Sequence, residues 1–214
     1  MGFKELLEIC EKNSRESEDV LDWIMYYAGE RERLQKKFDL FAKKYPQIFR
    51  EIPEPNYGRF ISQYIIHEVF KKGGLLKKYL NHSNVRSLPP AQYGYLENQI
   101  NKDWSYCYFV ILDNPEGDFY KVESVFTQQR FLIFSPGMTR TIQDQPVIMF
   151  AGLISSNGHC YQSFGPLLGF QSMDPDDIFY YATEWNQSIE TDDEIHQYIQ
   201  DNLLNFILLS IYIN

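Results

Sequence analysis

The residue pattern of this chain changes at Trp104, and that change limits the fold more than any other feature. Before it, apolar residues recur in steps of three, four and seven, which is the spacing of one face of an α-helix. From Trp104 to Asp113 the sequence WSYCYFVILD is instead aromatic and β-branched, as strands prefer. The pattern therefore predicts an α+β protein with a helical region at 1–102 and a sheet-containing region at 103–214. Whether these are two domains or one continuous domain stays open.

The first region is predicted to begin with a long amphipathic helix. An apolar stripe runs from Val20 to Tyr45. Ser17 precedes it as a suitable N-terminal cap, and Pro46 is a suitable stop. A linker at 52–56 and further helices at 60–69, 75–80 and 91–101 are expected to follow.

The second region is predicted to hold five strands, at 104–113, 119–126, 130–134, 147–154 and 160–164. Turn residues separate them, and Asn157-Gly158 is a strong hairpin signal between the last two. Strands joined by such short turns favour an antiparallel meander.

Helices are expected after the sheet, packed on one of its faces. Asp174-Pro175 is typical of a helix start, and Thr191 with Glu194 fits a capping box. The run Leu203–Ile213 has nine apolar residues out of eleven, too many for a single helical stripe. We expect it to be buried within the chain, against a second copy in a homo-oligomer, or against a downstream domain if the chain is a fragment of a longer protein.

The balance of acidic and basic residues also changes near residue 103. Residues 1–102 hold 17 Lys and Arg against 14 Asp and Glu, whereas residues 103–214 hold only three, Lys121, Arg130 and Arg140, against 15. Such an acidic second region repels nucleic-acid phosphates and anionic lipids. It favours a cationic protein partner or the chain's own basic part, and we expect neither a nucleic-acid nor a membrane partner.

Cysteine usage and the chain start bear on the compartment. Three widely spaced cysteines give neither a disulfide framework nor a zinc pattern, which fits a reducing environment. The first residues lack the apolar core of a secretory signal, and the longest apolar run is shorter than the ~20 residues that span a bilayer. The sequence predicts a soluble, cytoplasmic protein.

Gly158-His159-Cys160 is a candidate catalytic element, because a thiol activated by an imidazole is a nucleophile. Neighbouring residues of a strand point to opposite faces, so His159 and Cys160 would not pair with each other. Cys160 would need His67, His82 or His196 instead. The alternative is that Cys160 is a small buried hydrophobe.

Two charged clusters are candidate binding sites. Asp174, Asp177 and Glu184 offer carboxylates of the kind that hard cations prefer, but they fit no calcium-loop pattern and are equally typical of a helix start. The basic cluster contains Lys71, Lys72, Lys77 and Lys78. It could bind phosphates, form a solvated helix face, or dock against the acidic region.

No motif in the sequence identifies a protein family, and no cofactor is predicted. We expect a non-catalytic protein-interaction or regulatory module whose second region binds a partner. The alternative is a hydrolase that uses Cys160 or the carboxylates from Asp174 to Glu184.

Overall fold

The computed structural model describes residues 1–102, 104–163, 165 and 167–213, with the side chains of all of these except Pro55, Tyr212 and Ile213. These residues form an α+β fold that divides into two compact units. The first unit is Met1–Trp104 with Ser155–His159, and the second is Ser105–Ile154 with Cys160–Asn214. Within the described ranges, no helix is long and apolar enough to cross a membrane.

The first unit is helical, as the sequence predicts. Its helices are α1 (Phe3–Arg31), α2 (Leu34–Ala42), α3 (Pro46–Phe49), α4 (Glu54–Phe70), α5 (Leu76–Tyr79), α6 (Ser83–Arg86) and α7 (Pro90–Gln99). Helix α1 packs against α2, α4 and α7. Val20, Ile24, Phe38, Val69 and Leu96 are fully buried in the resulting core.

The predicted continuous helix from Ser17 to Tyr45 is wrong. Helix α1 begins at Phe3 and includes Ser17, whose hydroxyl donates to the Ser14 carbonyl rather than capping a helix. The helix ends at Arg31, because Arg33 adopts a left-handed conformation with φ of 52°. The linker expected at 52–56 is also partly helical, since α4 starts at Glu54 and proline is tolerated in a first turn.

The second unit contains β1 (Ser105–Glu116), β2 (Phe119–Ser124), β3 (Arg130–Phe134), β4 (Met149–Ser156), β5 (Tyr161–Ser163) and β6 (Leu168–Phe170). The strand order is β1-β2-β3-β5-β4, and β4 also pairs with β1, so five strands close into a barrel-like sheet. Strand β6 pairs with β4. Phe164, at the end of the predicted strand 160–164, lies outside the described residues.

The predicted antiparallel meander is therefore wrong, because the closed sheet is mixed. Helix α8 (Pro136–Asp144) separates β3 from β4, and β4 pairs antiparallel with β1. The returning strand β5 fills the gap between β4 and β3 and runs parallel to β3. Closure satisfies the strand edges that an open meander would expose.

The core of this unit is a cluster of buried side chains: Cys107, Phe109, Tyr120, Val122, Ile133, Met138, Phe150 and Ile154. The C-terminal helices are α9 (Pro175–Trp185), α10 (Asp192–Asp201) and α11 (Leu203–Ile213). Helix α10 is fixed to β1 by Gln200, whose side-chain amide accepts from the Tyr106 N–H at 2.9 Å and donates to its carbonyl at 2.8 Å.

Helix α11 lies mostly inside the second unit, as its composition predicts. Its buried residues are Leu203, Phe206, Ile207, Leu209 and Ser210. The Ser210 hydroxyl is 3.4 Å from that of Tyr108 on β1. The same strand therefore holds both α10 and α11.

Candidate functional site

The structure places His159 and Cys160 in different environments. His159 is exposed in the turn after β4, where its N–H donates to the Asn157 side chain at 3.0 Å. Gly158 supplies the positive φ of 94° that this turn requires. Cys160 is buried, with 4% of its surface exposed. Burial suits the small-hydrophobe interpretation better than that of an accessible nucleophile.

The carboxylates at the start of α9 act as helix caps. Asp174 accepts hydrogen bonds from the N–H groups of Asp176 and Asp177, at 2.9 and 3.2 Å. Asp177 in turn accepts from the Asp174 N–H at 3.1 Å. Glu184 is exposed near the other end of the helix. Across the described residues, no group of three His, Cys, Asp or Glu side chains could hold a metal ion.

Two lysines of the basic cluster pair with acids of the first unit. Lys71 forms an ion pair with Glu68, and Lys78 Nζ lies 2.8 Å from Glu32 Oε1. Lys72 and Lys77 are exposed. Docking of this cluster against the acidic region stays a prediction.

Glu68 belongs to a polar group on α4 that the sequence did not reveal. His67 beside it is fully buried, with its Nδ1 3.7 Å from Glu68 Oε1. Burial alone would raise the pKa of Glu68, but the neighbouring His67 imidazole and the hydrogen-bonded Lys71 ammonium favour the carboxylate and bring the pKa to about 2. Glu68 therefore stays ionised through the physiological range.

A polar cavity of about 460 Å³ lies between α1 and α7 in the first unit. Its lining mixes charges of both signs with side-chain amides, including Arg15, Glu16, Asp19, Asn98 and Lys102. Burial lowers the pKa of Lys102. The volume falls in the range of small-molecule sites, but the lining favours no single ligand charge.

Helix α9 presents the largest exposed aromatic groups of the second unit. The α9 surface consists of Asp176, Phe179, Tyr180, Glu184 and Trp185. Phe179, Tyr180 and Trp185 are 44%, 57% and 40% exposed, whereas Ile178 and Ala182 of the same helix are buried. Trp185 follows Ile178 by seven residues and so lies at the edge of the buried face. Exposed apolar side chains that cluster on one element, unlike those scattered singly, are a feature of interaction sites.

Ring contacts hold two of the three aromatic residues of this surface, Tyr180 and Trp185, against their neighbours. Tyr181 lies 5.3 Å from the Tyr180 ring and 5.9 Å from the Trp185 ring. Trp185 in turn makes an edge contact at 5.5 Å with the buried Phe206 of α11. These contacts restrict the side-chain freedom of Tyr180 and Trp185.

The charge around the α9 surface is one-sided. From residue 141 onward the sequence has ten Asp and Glu and no Lys or Arg. Two of the three cations in the second unit are engaged elsewhere, Lys121 with Asp113 at 3.2 Å and Arg130 with Glu123. The carboxylates of Asp176 and Glu184 therefore have no cation on their own helix or on α10 and α11.

A second polar arrangement joins the start of β1 to α10. Ser105 Oγ lies 2.9 Å from His196 Nε2, and the Cys107 thiol donates to the same oxygen at 3.6 Å. Burial lowers the pKa of His196, while the negative charge of Asp193 opposes that shift. Sequence reasoning missed this pairing because its members are 91 positions apart.

Comparisons of this chain with known protein families, with curated proteins and with solved structures found no match. Function must therefore be inferred from side-chain geometry and charge.

Proposed function

We propose that this protein is an interaction module whose α9 surface binds a cationic segment of a partner protein. The observation that carries the proposal is the exposure of Phe179, Tyr180 and Trp185 on one helix, flanked by carboxylates, in a part of the sequence with no Lys or Arg from residue 141 onward. Contiguous exposed apolar groups on a protein surface often mark sites where a partner binds.

The chemistry of the surface favours lysine and arginine as ligands. Aromatic faces attract cations, with tryptophan the strongest of the three ring types, and each contact contributes about 0.5–1 kcal/mol at an exposed site. The carboxylates of Asp176 and Glu184 add attraction at longer range and speed the encounter. Because the rings of Tyr180 and Trp185 are already held by their neighbours, these two side chains lose little entropy on binding.

The other partner classes fit less well. Nucleic acid and anionic membranes carry the same charge sign as this surface. A homo-oligomer through Leu203–Ile213 is disfavoured because most described side chains of that run are already buried. The hydrolase alternative loses support at its named residues, since Cys160 is buried and Asp174 and Asp177 cap a helix.

The test is a binding titration of the full chain with a short fluorescein-labelled peptide rich in Arg and Lys. We expect the double variant Phe179→Ala with Tyr180→Ala to weaken binding about tenfold or more, because it removes two ring contacts. Tyr26→Ala is the matched control, since Tyr26 is 73% exposed but lies in the first unit.

Charge is tested separately. Asp176→Asn with Glu184→Gln should weaken binding more at 50 mM than at 500 mM salt, because salt screens the attraction. Glu11→Gln with Glu18→Gln changes the net charge equally, on exposed residues of α1, and should have little effect. No binding at low salt, or equal affinity for all four variants, would refute the proposal.

A further inference from the structure

We infer that Ser105 and His196 form a nucleophile–base pair that accepts an acyl group from small carboxylic esters. The inference is independent of the α9 surface and departs from the expectation of a module without catalysis. It also differs from the hydrolase alternative of the sequence, which relied on Cys160 or on carboxylates.

The first observation is the geometry. A nucleophile and its base must lie within about 2.6–3.2 Å of each other, and Ser105 Oγ and His196 Nε2 are 2.9 Å apart. Ser105 is the first residue of β1, and His196 lies on α10, which Gln200 fixes to the next residue of that strand. Both partners are therefore held by regular secondary structure, and both are only partly buried.

The second argument concerns the Ser105 proton. Burial raises the pKa of Cys107 to about 11, so the thiol keeps its proton and donates it to Ser105 Oγ. The serine hydroxyl then has one proton of its own to donate, and His196 Nε2 accepts it when the imidazole carries its proton on Nδ1. This is the orientation that general-base activation of a serine requires.

The third argument concerns the charge state of the base. Burial lowers the pKa of His196, so the imidazole is neutral and able to accept a proton at pH 7. Asp193, one turn earlier on α10, acts in the opposite sense and favours the imidazolium that forms during attack. Cys107 is the titratable group that contacts the pair from β1, and it stays uncharged.

The proposed reaction has two stages, acylation of Ser105 and hydrolysis of the acyl-serine. Ser105 Oγ attacks the ester carbonyl carbon while its proton moves to His196 Nε2. The bond to the leaving alcohol breaks, and the alcohol departs with that proton, which leaves an acyl-serine. Water attacks the acyl carbon with His196 again taking a proton. The carboxylic acid leaves as the Ser105 oxygen recovers its proton.

The test uses a fluorophosphonate probe, which forms a bond between phosphorus and an activated serine and releases fluoride. The full chain is incubated with the probe, digested with trypsin, and the adduct is located by fragmentation within the peptide that follows Lys102. We expect modification at Ser105, at a rate that rises as pH increases through the pKa of His196, below 6.5. Hydrolysis of p-nitrophenyl acetate should show the same profile.

Matched variants separate this site from general reactivity. His196→Gln should slow labelling about 100-fold or more, in the range that general bases contribute. His159→Gln removes an exposed histidine of the turn after β4 and should leave the rate unchanged. Ser105→Ala should abolish labelling, whereas Ser188→Ala, which removes an exposed hydroxyl that donates to Asn186, should not.

Two results would overturn the inference: wild-type protein that carries no adduct at Ser105, or labelling at Ser105 that His196→Gln leaves unchanged. Because the adduct is located on the wild-type chain, the first result does not depend on any variant folding. Loss of labelling with retained binding of the cationic peptide would leave the α9 proposal intact.

Discussion

Glu68 on α4 is partly buried beside a fully buried histidine and a lysine, both of which favour its negative charge. Its pKa of about 2 lies below the ordinary value of 4.5, so ionised Glu68 stabilises the folded state above about pH 4.5. That contribution is lost as pH falls from about 4.5 towards 2. We expect Glu68→Gln to lower the free energy of unfolding at pH 7 by about 1–2 kcal/mol, a value reduced for screening by solvent.

Urea unfolding of wild type and Glu68→Gln between pH 7 and pH 3 measures this effect. The difference between the two proteins should shrink as the pH falls below about 4.5. Glu8→Gln, at an exposed position of α1, should show no difference at any pH. A Glu68→Gln difference that grows on acidification would contradict the assigned direction of the pKa.

Local contacts of a residue can be predicted from the sequence, whereas its long-range contacts cannot. Helix caps are local, so Asp174 and Thr191 could be recognised from their neighbours, and the structure confirms both. The contact of Ser105 with His196 could not, because distant residues meet only once the strand and the helix are packed. Cys160 shows the reverse problem. Its sequence neighbour His159 suggested a catalytic pair, but His159 is exposed whereas Cys160 is buried.

Among the elements, α11 provides the clearest test of burial. Phe206 is fully buried and contacts the rings of Trp185 and Tyr198, at 5.5 and 6.0 Å. Removing such a side chain typically costs about 3–5 kcal/mol, which is much of the 5–15 kcal/mol that stabilises a typical domain. We expect Phe206→Ala to lower the melting temperature strongly, and deletion of residues 203–214 to leave the protein unfolded or insoluble.

Thermal unfolding followed by circular dichroism measures both changes. Ile211→Ala, at a partly exposed position of the same helix, is the control and should cost less. A soluble, monomeric protein ending at Asn202 with the full melting temperature would show that α11 is dispensable.

Elements with strong local signals were predictable, and those that depend on long-range pairing were not. Strand β3 has the predicted bounds, because β-branched and aromatic residues there lie between turns. Helix α8 was missed although Ser135-Pro136 is a helix-start signal, with the Ser135 side chain accepting from the Met138 N–H. Strand β6 has only three residues, too few for any period to show.

At the scale of the whole molecule, the helical first part and the α+β class follow from the change of pattern at Trp104. Barrel closure does not, because it requires β4 to pair with β1 across some forty residues of intervening chain. The domain assignment stays a prediction. Its physical basis is that the helices packed against α1, namely α2, α4 and α7, all come before Trp104, although Ser155–His159 also belongs to this unit and Asn157 contacts Cys10 of α1.

We therefore expect a fragment of residues 1–104 to fold alone into a helical protein with cooperative thermal unfolding. Trp104 should be needed, because its ring stacks on Phe70 at 4.3 Å and its indole N–H donates to Gln99 at 3.3 Å. A fragment ending at Lys102 loses that burial, worth about 2–3 kcal/mol.

For a chain of about 100 residues, such a loss lowers the melting temperature by roughly 10 °C or more. Circular dichroism of the two purified fragments measures the difference directly. Equal melting temperatures would place the structural boundary before Trp104, as the residue pattern and charge alone suggest. A fragment 1–104 without cooperative unfolding would mean that the helical unit cannot sustain its core without residues that follow it in the chain.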